Sequence, residues 1–297
     1  MELKNSFHPY AMVTIVFWSL AYVLTRLTLH HFSVFSLGFL RYFLASCMLI
    51  AVAVVTKMGW PHRKDAPYFL ASGGIGFFFY MIAFNQGQAV VTAATGSVVI
   101  ATVPVITAVL ARVFYQETLL TIQWVAIAVE FIGVAVLALM DGSFSVNTGL
   151  FWLLAAALAL SVYNLLQRHL TKRYAALQAS TYSIFAGTML LALFAPVSVQ
   201  EVIHAPAIQY WYLVVLGIGS SGIAYVAWTM AFAKAKQTSQ VSNYMFVTPF
   251  GASLCGFLLA GEVPDKATVI GGSIILAGMV MFNFGGKLSK GFWLQKN

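Results

Sequence analysis

The chain has 297 residues, of which 61% are hydrophobic and 8% charged, and its mean hydropathy is +0.87. Soluble domains carry about 25% charged residues, so this composition excludes a fold surrounded by water and indicates a polytopic membrane protein. The net charge of +8 and the pI near 9.5 fit an excess of Lys and Arg in cytoplasmic loops, not a nucleic-acid surface. Cys47 and Cys255 both lie in apolar runs, without a disulfide framework or zinc spacing, so no metal or cofactor is expected.

A membrane span needs roughly 20 mostly apolar residues. Ten segments meet that condition: 9–29, 32–55, 66–86, 90–114, 121–140, 148–167, 177–196, 209–232, 238–260 and 266–285. The opening run, "MELKNSFHPYAMVTIVFWSLAYVLTR", is longer than a signal-peptide core and lacks an A-x-A cleavage site, so it reads as the first span. The connections are short and carry no inserted soluble domain. With a cytoplasmic N-terminus, thirteen of the sixteen basic residues fall on the inside. Arg26 and Lys266 fall outside, and Arg41 lies within a span. This asymmetry predicts a plasma (bacterial inner) membrane protein with both termini cytoplasmic.

Sliding the chain by 145 residues aligns Tyr80 with Tyr225, Ser97 with Ser242, Pro104 with Pro249, Glu117 with Glu262 and Gly133 with Gly278. Two prolines and two acids in register indicate a duplication. Each copy holds five spans, so the second enters the membrane in the opposite sense. The predicted architecture is all-α, with ten transmembrane helices as an inverted 5+5 repeat. The first five-helix unit covers 1–142, the second covers 143–290, and 291–297 form a cytoplasmic tail. Alternating access follows, because one hinge geometry then serves both faces.

Several of these stretches resemble a known family. "FSLGFLRYFLASCMLI" in the second span is similar to the EamA-type pattern of an Arg followed by small and aliphatic residues. The paired elements Pro104 to Glu117 and Pro249 to Glu262, with Gly133 and Gly278 in the last helix of each half, also match. The chain is identified as an EamA-type member of the drug/metabolite transporter superfamily, over about residues 10–285. The resemblance implies a central cavity lined mainly by helices 1, 3, 4, 6, 8 and 9, and transport of small metabolites, often amino acids and frequently as export.

Glu130 stands in the apolar run "AIAVEFIGVAVLAL", about 13 Å along its helix from Thr121 at 1.5 Å per residue. A carboxylate so deep costs a few kcal/mol, so it is either structurally paired or used. Its face includes Gln123, Ala126 and Gly133, which points it into protein. Arg41 is the other deep charge, at a similar depth, and the two would pair if helices 2 and 5 are neighbours. The functional alternative makes Glu130 a proton-coupling or cation-binding group. An acid there does not belong to the family pattern, and its repeat partner is Ile275.

Aromatic and uncharged polar residues are expected to line the cavity. The candidates are Trp18 and Tyr22 on helix 1, Tyr80, Phe84, Asn85 and Gln88 on helix 3, Tyr163 and Asn164 on helix 6, Tyr225 and Trp228 on helix 8, and Asn243 on helix 9. With one deep Arg, phosphorylated substrates are disfavoured. A neutral or zwitterionic solute, an amino acid above all, is the expected substrate, and an organic cation held by cation–π contact is second. Pro104 and Pro249 are read as kinks and paired hinges. "GIGSSG", Gly217 to Gly222, fits a dinucleotide fingerprint only by spelling and reads as close helix packing. No hydrolase motif is present, so an enzyme is not expected. A lipid-headgroup flippase on the same fold is the nearest other reading. The expected partners are the bilayer and a small molecule, and one copy can supply the entire repeat.

Overall fold

The computed structural model describes residues 6–116, 119–139, 148–235, 241 and 243–294. The described residues form helices and turns, with no strand among them. Helix α1 is His8–Thr28, with Pro9 in its first turn, where a missing N–H loses no bond. Helix α2 is Val34–Val55, capped by Ser33, whose hydroxyl accepts from the Ser36 N–H. Helix α3 runs as Ala66–Gly73, a π-helical stretch Gly74–Phe79 and then Tyr80–Gln88. Helix α4 starts at Ala93–Ile100, capped by Thr92, turns at 101–102 and resumes as Val103–Tyr115. Helices α5 and α6 are Thr121–Leu139 and Thr148–Leu170. Helix α7 spans Ala176–Ile203, and α8 spans Ala207–Lys234 with a π-helical stretch Val215–Ile223. A 3-10 turn, Asn243–Val247, leads into α9, Thr248–Ala260, and α10 is Lys266–Leu294.

Seven of these helices are long and apolar enough to cross a membrane: α1, α2, α3, α4, α6, α7 and α8. Shorter apolar stretches lie in α5, α9 and α10. Pro104 stands in the first turn of the segment that resumes after the turn at 101–102 within one apolar span, and Pro249 in the first turn of the segment that follows the 3-10 turn, where proline is favoured. Span 266–285 continues as helix to Leu294.

Local irregularities recur at the 145-residue spacing. The π-helical stretches hold Gly74 and Gly219. The segments after the two prolines end on left-handed residues, Gln116 at φ 55° and Gly261 at φ 64°. Gly261 meets that φ freely, whereas Gln116 carries a modest strain. The packing follows the same exchange. Helix α3 packs on α6 and α8 on α1; α4 packs on α6 and α9 on α1; α2 packs on α8 and α7 on α3.

Helices α5 and α10 form the most extensive pair. A Cβ on Gly133 would lie 2.6 Å from Cγ1 of Ile275, and one on Gly278 would lie 2.7 Å from Cγ of Glu130. Each glycine thus receives the side chain three residues before the other glycine, and no larger residue fits at either. The "GIGSSG" stretch behaves as the sequence suggests: Gly217 lies against Leu44, Gly219 against Phe17 and Gly222 against Met48.

Candidate functional site

Ten of the eleven predicted lining residues are buried, none more than 9% exposed. The Asn243 side chain lies outside the described residues. The aromatic members meet at the centre of the helices. Trp18 sits 5.1 Å, ring to ring, from both Tyr225 and Trp228. Tyr163 lies 5.8 Å from Tyr225. On the neighbouring side Phe84 contacts Tyr22 at 5.3 Å and stacks on Tyr80 at 5.6 Å. Helices α1, α3, α6 and α8 therefore build one aromatic centre. Trp18 and Tyr163, and likewise Tyr80 and Tyr225, are 145 residues apart.

Two members escaped the sequence. Phe77 lies 5.0 Å from Tyr42, from Tyr163 and from Tyr225, and brings these three rings together. A four-residue spacing from Tyr80 and Phe84 does not reach Phe77, but Phe77 stands three residues before Tyr80 and seven before Phe84, which is the same face by ordinary helical periodicity. That periodicity was the available signal. Tyr42, next to Arg41, could have been flagged as a phenol in an apolar run.

The polar groups divide by partner. Trp18 Nε1 donates to the Ser220 carbonyl at 3.2 Å, and Trp228 Nε1 to Asn164 Oδ1 at 3.4 Å. Asn85 turns away from the rings and donates to the Val34 carbonyl at 2.9 Å, at the head of α2. The Tyr42 and Tyr163 hydroxyls, Asn164 Nδ2 and both Gln88 amide atoms are buried without a hydrogen-bond partner. Such groups are costly unless something else satisfies them.

The two deep charges are both buried, Arg41 at 3% and Glu130 at 2% exposure, but they do not pair. Arg41 Nε donates to Ser221 Oγ at 3.2 Å, and Nη1 to Thr25 Oγ1 at 3.1 Å. Helix α2 lies among α7, α8 and α3, whereas α5 lies along α10, so the expected ion pair has no geometric basis. Both Glu130 oxygens lack a hydrogen-bond partner.

Charged clusters lie near both ends of the bundle. At one end Arg26 Nε lies 2.8 Å from Glu262 Oε1, and Glu262 Oε2 accepts from the Ala93 N–H at 2.9 Å. Arg26 Nη1 also donates to the Val91 carbonyl. One carboxylate thus joins the end of α1, the start of α4 and the end of α9. It also sits at a helix N-terminus, where negative charge is favoured. The sequence had placed Arg26 and Glu262 only as separate loop charges. Its repeat counterpart, Glu117, lies outside the described residues.

At the other end Asp65, just before α3, accepts from the Tyr174 hydroxyl at 2.6 Å and from Arg173 Nη1 at 3.0 Å. The Tyr174 hydrogen bond, with the Arg173 charge beside it, holds the Asp65 carboxyl below its ordinary range. Among the described residues no group of three or more His, Cys, Asp or Glu could hold a metal.

Apolar helices enclosing an aromatic, partly unsatisfied polar centre, with charged clusters near both ends, define a multi-pass membrane transporter. Comparison with known proteins agrees. The family model described as "EamA-like transporter family" matches residues 6–139 and 147–284. The chain belongs to that family. It is 32% identical over 282 residues, 95% of each chain, to a probable terminal-alkyne amino-acid exporter of Streptantibioticus cattleyicolor. It is 30% identical to the uncharacterized transporter YdfC of Bacillus subtilis, over 88% of this chain and 86% of that one. An S-adenosylmethionine uptake transporter of Rickettsia prowazekii is 25% identical over 86% of this chain and 84% of its own. A protein of known crystal structure superposes with a TM-score of 0.64, over 94% of this chain and 97% of that one. At 18% identity it supports the fold alone.

Proposed function

We propose that the protein is a secondary transporter that exports an amino acid or similar zwitterion across the plasma membrane. Ten helices, arranged as inverted halves over 1–142 and 143–290 with both termini cytoplasmic, would give alternating access. The recurrence of π-helical stretches, helix breaks and left-handed caps at one spacing supports that arrangement. The observation that carries the reading is the aromatic centre, drawn from both halves, with the Tyr42, Tyr163, Asn164 and Gln88 groups left without protein partners. A zwitterion's ammonium and carboxylate would satisfy such donors and acceptors, and the rings would hold its side chain. The 32% identity to a protein named a probable terminal-alkyne amino-acid exporter supports the reading. A relative named for uptake makes direction a property to measure.

In this reading the Arg26–Glu262 cluster is the external closure, and the breaks before Pro104 and Pro249 are the hinges. Glu130 is the proposed proton carrier for coupled transport. The test is flux of labelled amino acids in proteoliposomes containing a pH-sensitive dye. Flux accompanied by proton movement, with the proton movement lost in Glu130→Gln, is the expected result. Unchanged flux and proton movement in Glu130→Gln would remove coupling from Glu130.

A further inference from the structure

At the end of the bundle where α3 begins and α6 turns into α7 lies an open recess of about 740 Å³, whose lining includes Trp60, Arg63, Lys64, Asp65 and Arg173. The loop that carries the first four of these is pinned through its backbone. The Gly59 carbonyl accepts from Gln178 Nε2 at 2.7 Å and from the Tyr182 hydroxyl at 3.1 Å, and the His62 N–H donates to the Tyr174 hydroxyl at 3.0 Å. These bonds fix the loop against α7 and the turn before it without using the side chains of Arg63 or Lys64.

The charge of the recess is one-sided. Asp65 is 6% exposed and is engaged by the Tyr174 hydroxyl and by Arg173 Nη1 at 3.0 Å. Arg173 still keeps 64% of its side chain accessible, and a guanidinium has five N–H donors, so it has donors left for a ligand. Arg63 and Lys64 are exposed, and their side chains have no hydrogen-bond or ion-pair partner among the described residues. Three basic groups thus face one neutralised acid. Converging Arg and Lys donors of this kind match a phosphate.

The apolar surroundings decide where that phosphate comes from. Trp60 is 87% exposed, with its ring 5.9 Å from that of Tyr182, and the last turn of α2 leaves Val55 82% exposed. A soluble phosphate would use the cations and leave these side chains in water. A phospholipid meets both at once, because Trp sits at the headgroup level and basic residues beside it attract anionic lipid. We propose that this recess binds the headgroup of an anionic phospholipid, with the phosphate on Arg63, Lys64 and Arg173 and the acyl chains running past Trp60 and Val55. The site is separate from the aromatic centre and does not depend on the proposed substrate or direction.

The test is retention of phosphatidylglycerol and of phosphatidylcholine by the whole protein, delipidated in a non-ionic detergent and titrated with each lipid under native mass spectrometry. The two lipids share a phosphate and differ in net charge. Each Lys or Arg near an anionic headgroup is worth about fivefold, so phosphatidylglycerol should bind at least about tenfold more tightly. Arg63→Gln and Lys64→Gln should each lower that preference about fivefold, and together bring the two lipids within about threefold. Lys266→Gln, exposed at the opposite end, should leave it unchanged. Trp60→Ala should weaken both lipids and keep the preference. Equal binding of the two lipids to the native protein would overturn the proposal, as would a preference that survives the double substitution or falls equally in Lys266→Gln. Binding of both lipids unaffected by Trp60→Ala would also overturn it. Displacement of the lipid by glycerol 3-phosphate at equal concentration would make the recess a site for soluble phosphates and likewise overturn it.

Discussion

A single carboxylate, Glu262, ties three helix ends together through Arg26 and the Ala93 N–H. The pair is only partly exposed, with 26% and 16% of the two side chains accessible, and such pairs contribute on the order of 1 kcal/mol. Glu262→Gln should therefore shift the closure towards opening by about fivefold. The measure is the labelling rate of a cysteine introduced at Ala94, in a background lacking Cys47 and Cys255, with a membrane-impermeant maleimide. An unchanged rate would remove the latch role. At the opposite end the depressed Asp65 carboxyl ties folding to pH. Stability from the Tyr174 and Arg173 contacts is present above the ordinary carboxylate value of 3.8 and is lost as pH falls below it, through the lowered folded value. Thermal unfolding in detergent should thus fall towards pH 3 in the native protein and fall less steeply in Asp65→Asn.

Helices α5 and α10 cross through reciprocal glycines, and each accepts the side chain that a Cβ would displace. Gly133→Ala and Gly278→Ala should each destabilise by roughly 1–3 kcal/mol through overpacking, read as a lower unfolding midpoint in detergent. Gly59, where a Cβ meets nothing, is the control and should tolerate alanine. At this scale much was legible in the sequence. The apolar runs located the helices, and the 145-residue register picked out the prolines and glycines that occupy similar local settings. Phe77, three residues before Tyr80 and seven before Phe84, was within reach of helical periodicity and was passed over by a search at four-residue spacing alone. Contacts between distant helices are what a periodic reading does not carry. Arg41 and Glu130 share a depth, but depth says nothing of which helices are neighbours. The Arg26–Glu262 contact joins segments far apart in the chain, and no local pattern announces it.

The described helices form a scaffold that gathers rings from α1, α2, α3, α6 and α8, with charged clusters near both ends. The aromatic centre is the feature on which the proposed transport rests. Truncating Trp228, which is fully buried against Trp18, removes a central wall; Tyr163→Phe keeps the ring and deletes only an unpartnered hydroxyl. The most direct measurement is efflux of labelled amino acids from proteoliposomes, for the native protein and these two variants. The account predicts saturable efflux of at least one amino acid. Loss of one substrate hydrogen bond should reduce it in Tyr163→Phe by about tenfold, and Trp228→Ala should abolish it. Scrambling of a labelled phospholipid with no amino-acid flux would contradict the account and make the protein a flippase. Efflux indifferent to both substitutions would place the pathway elsewhere.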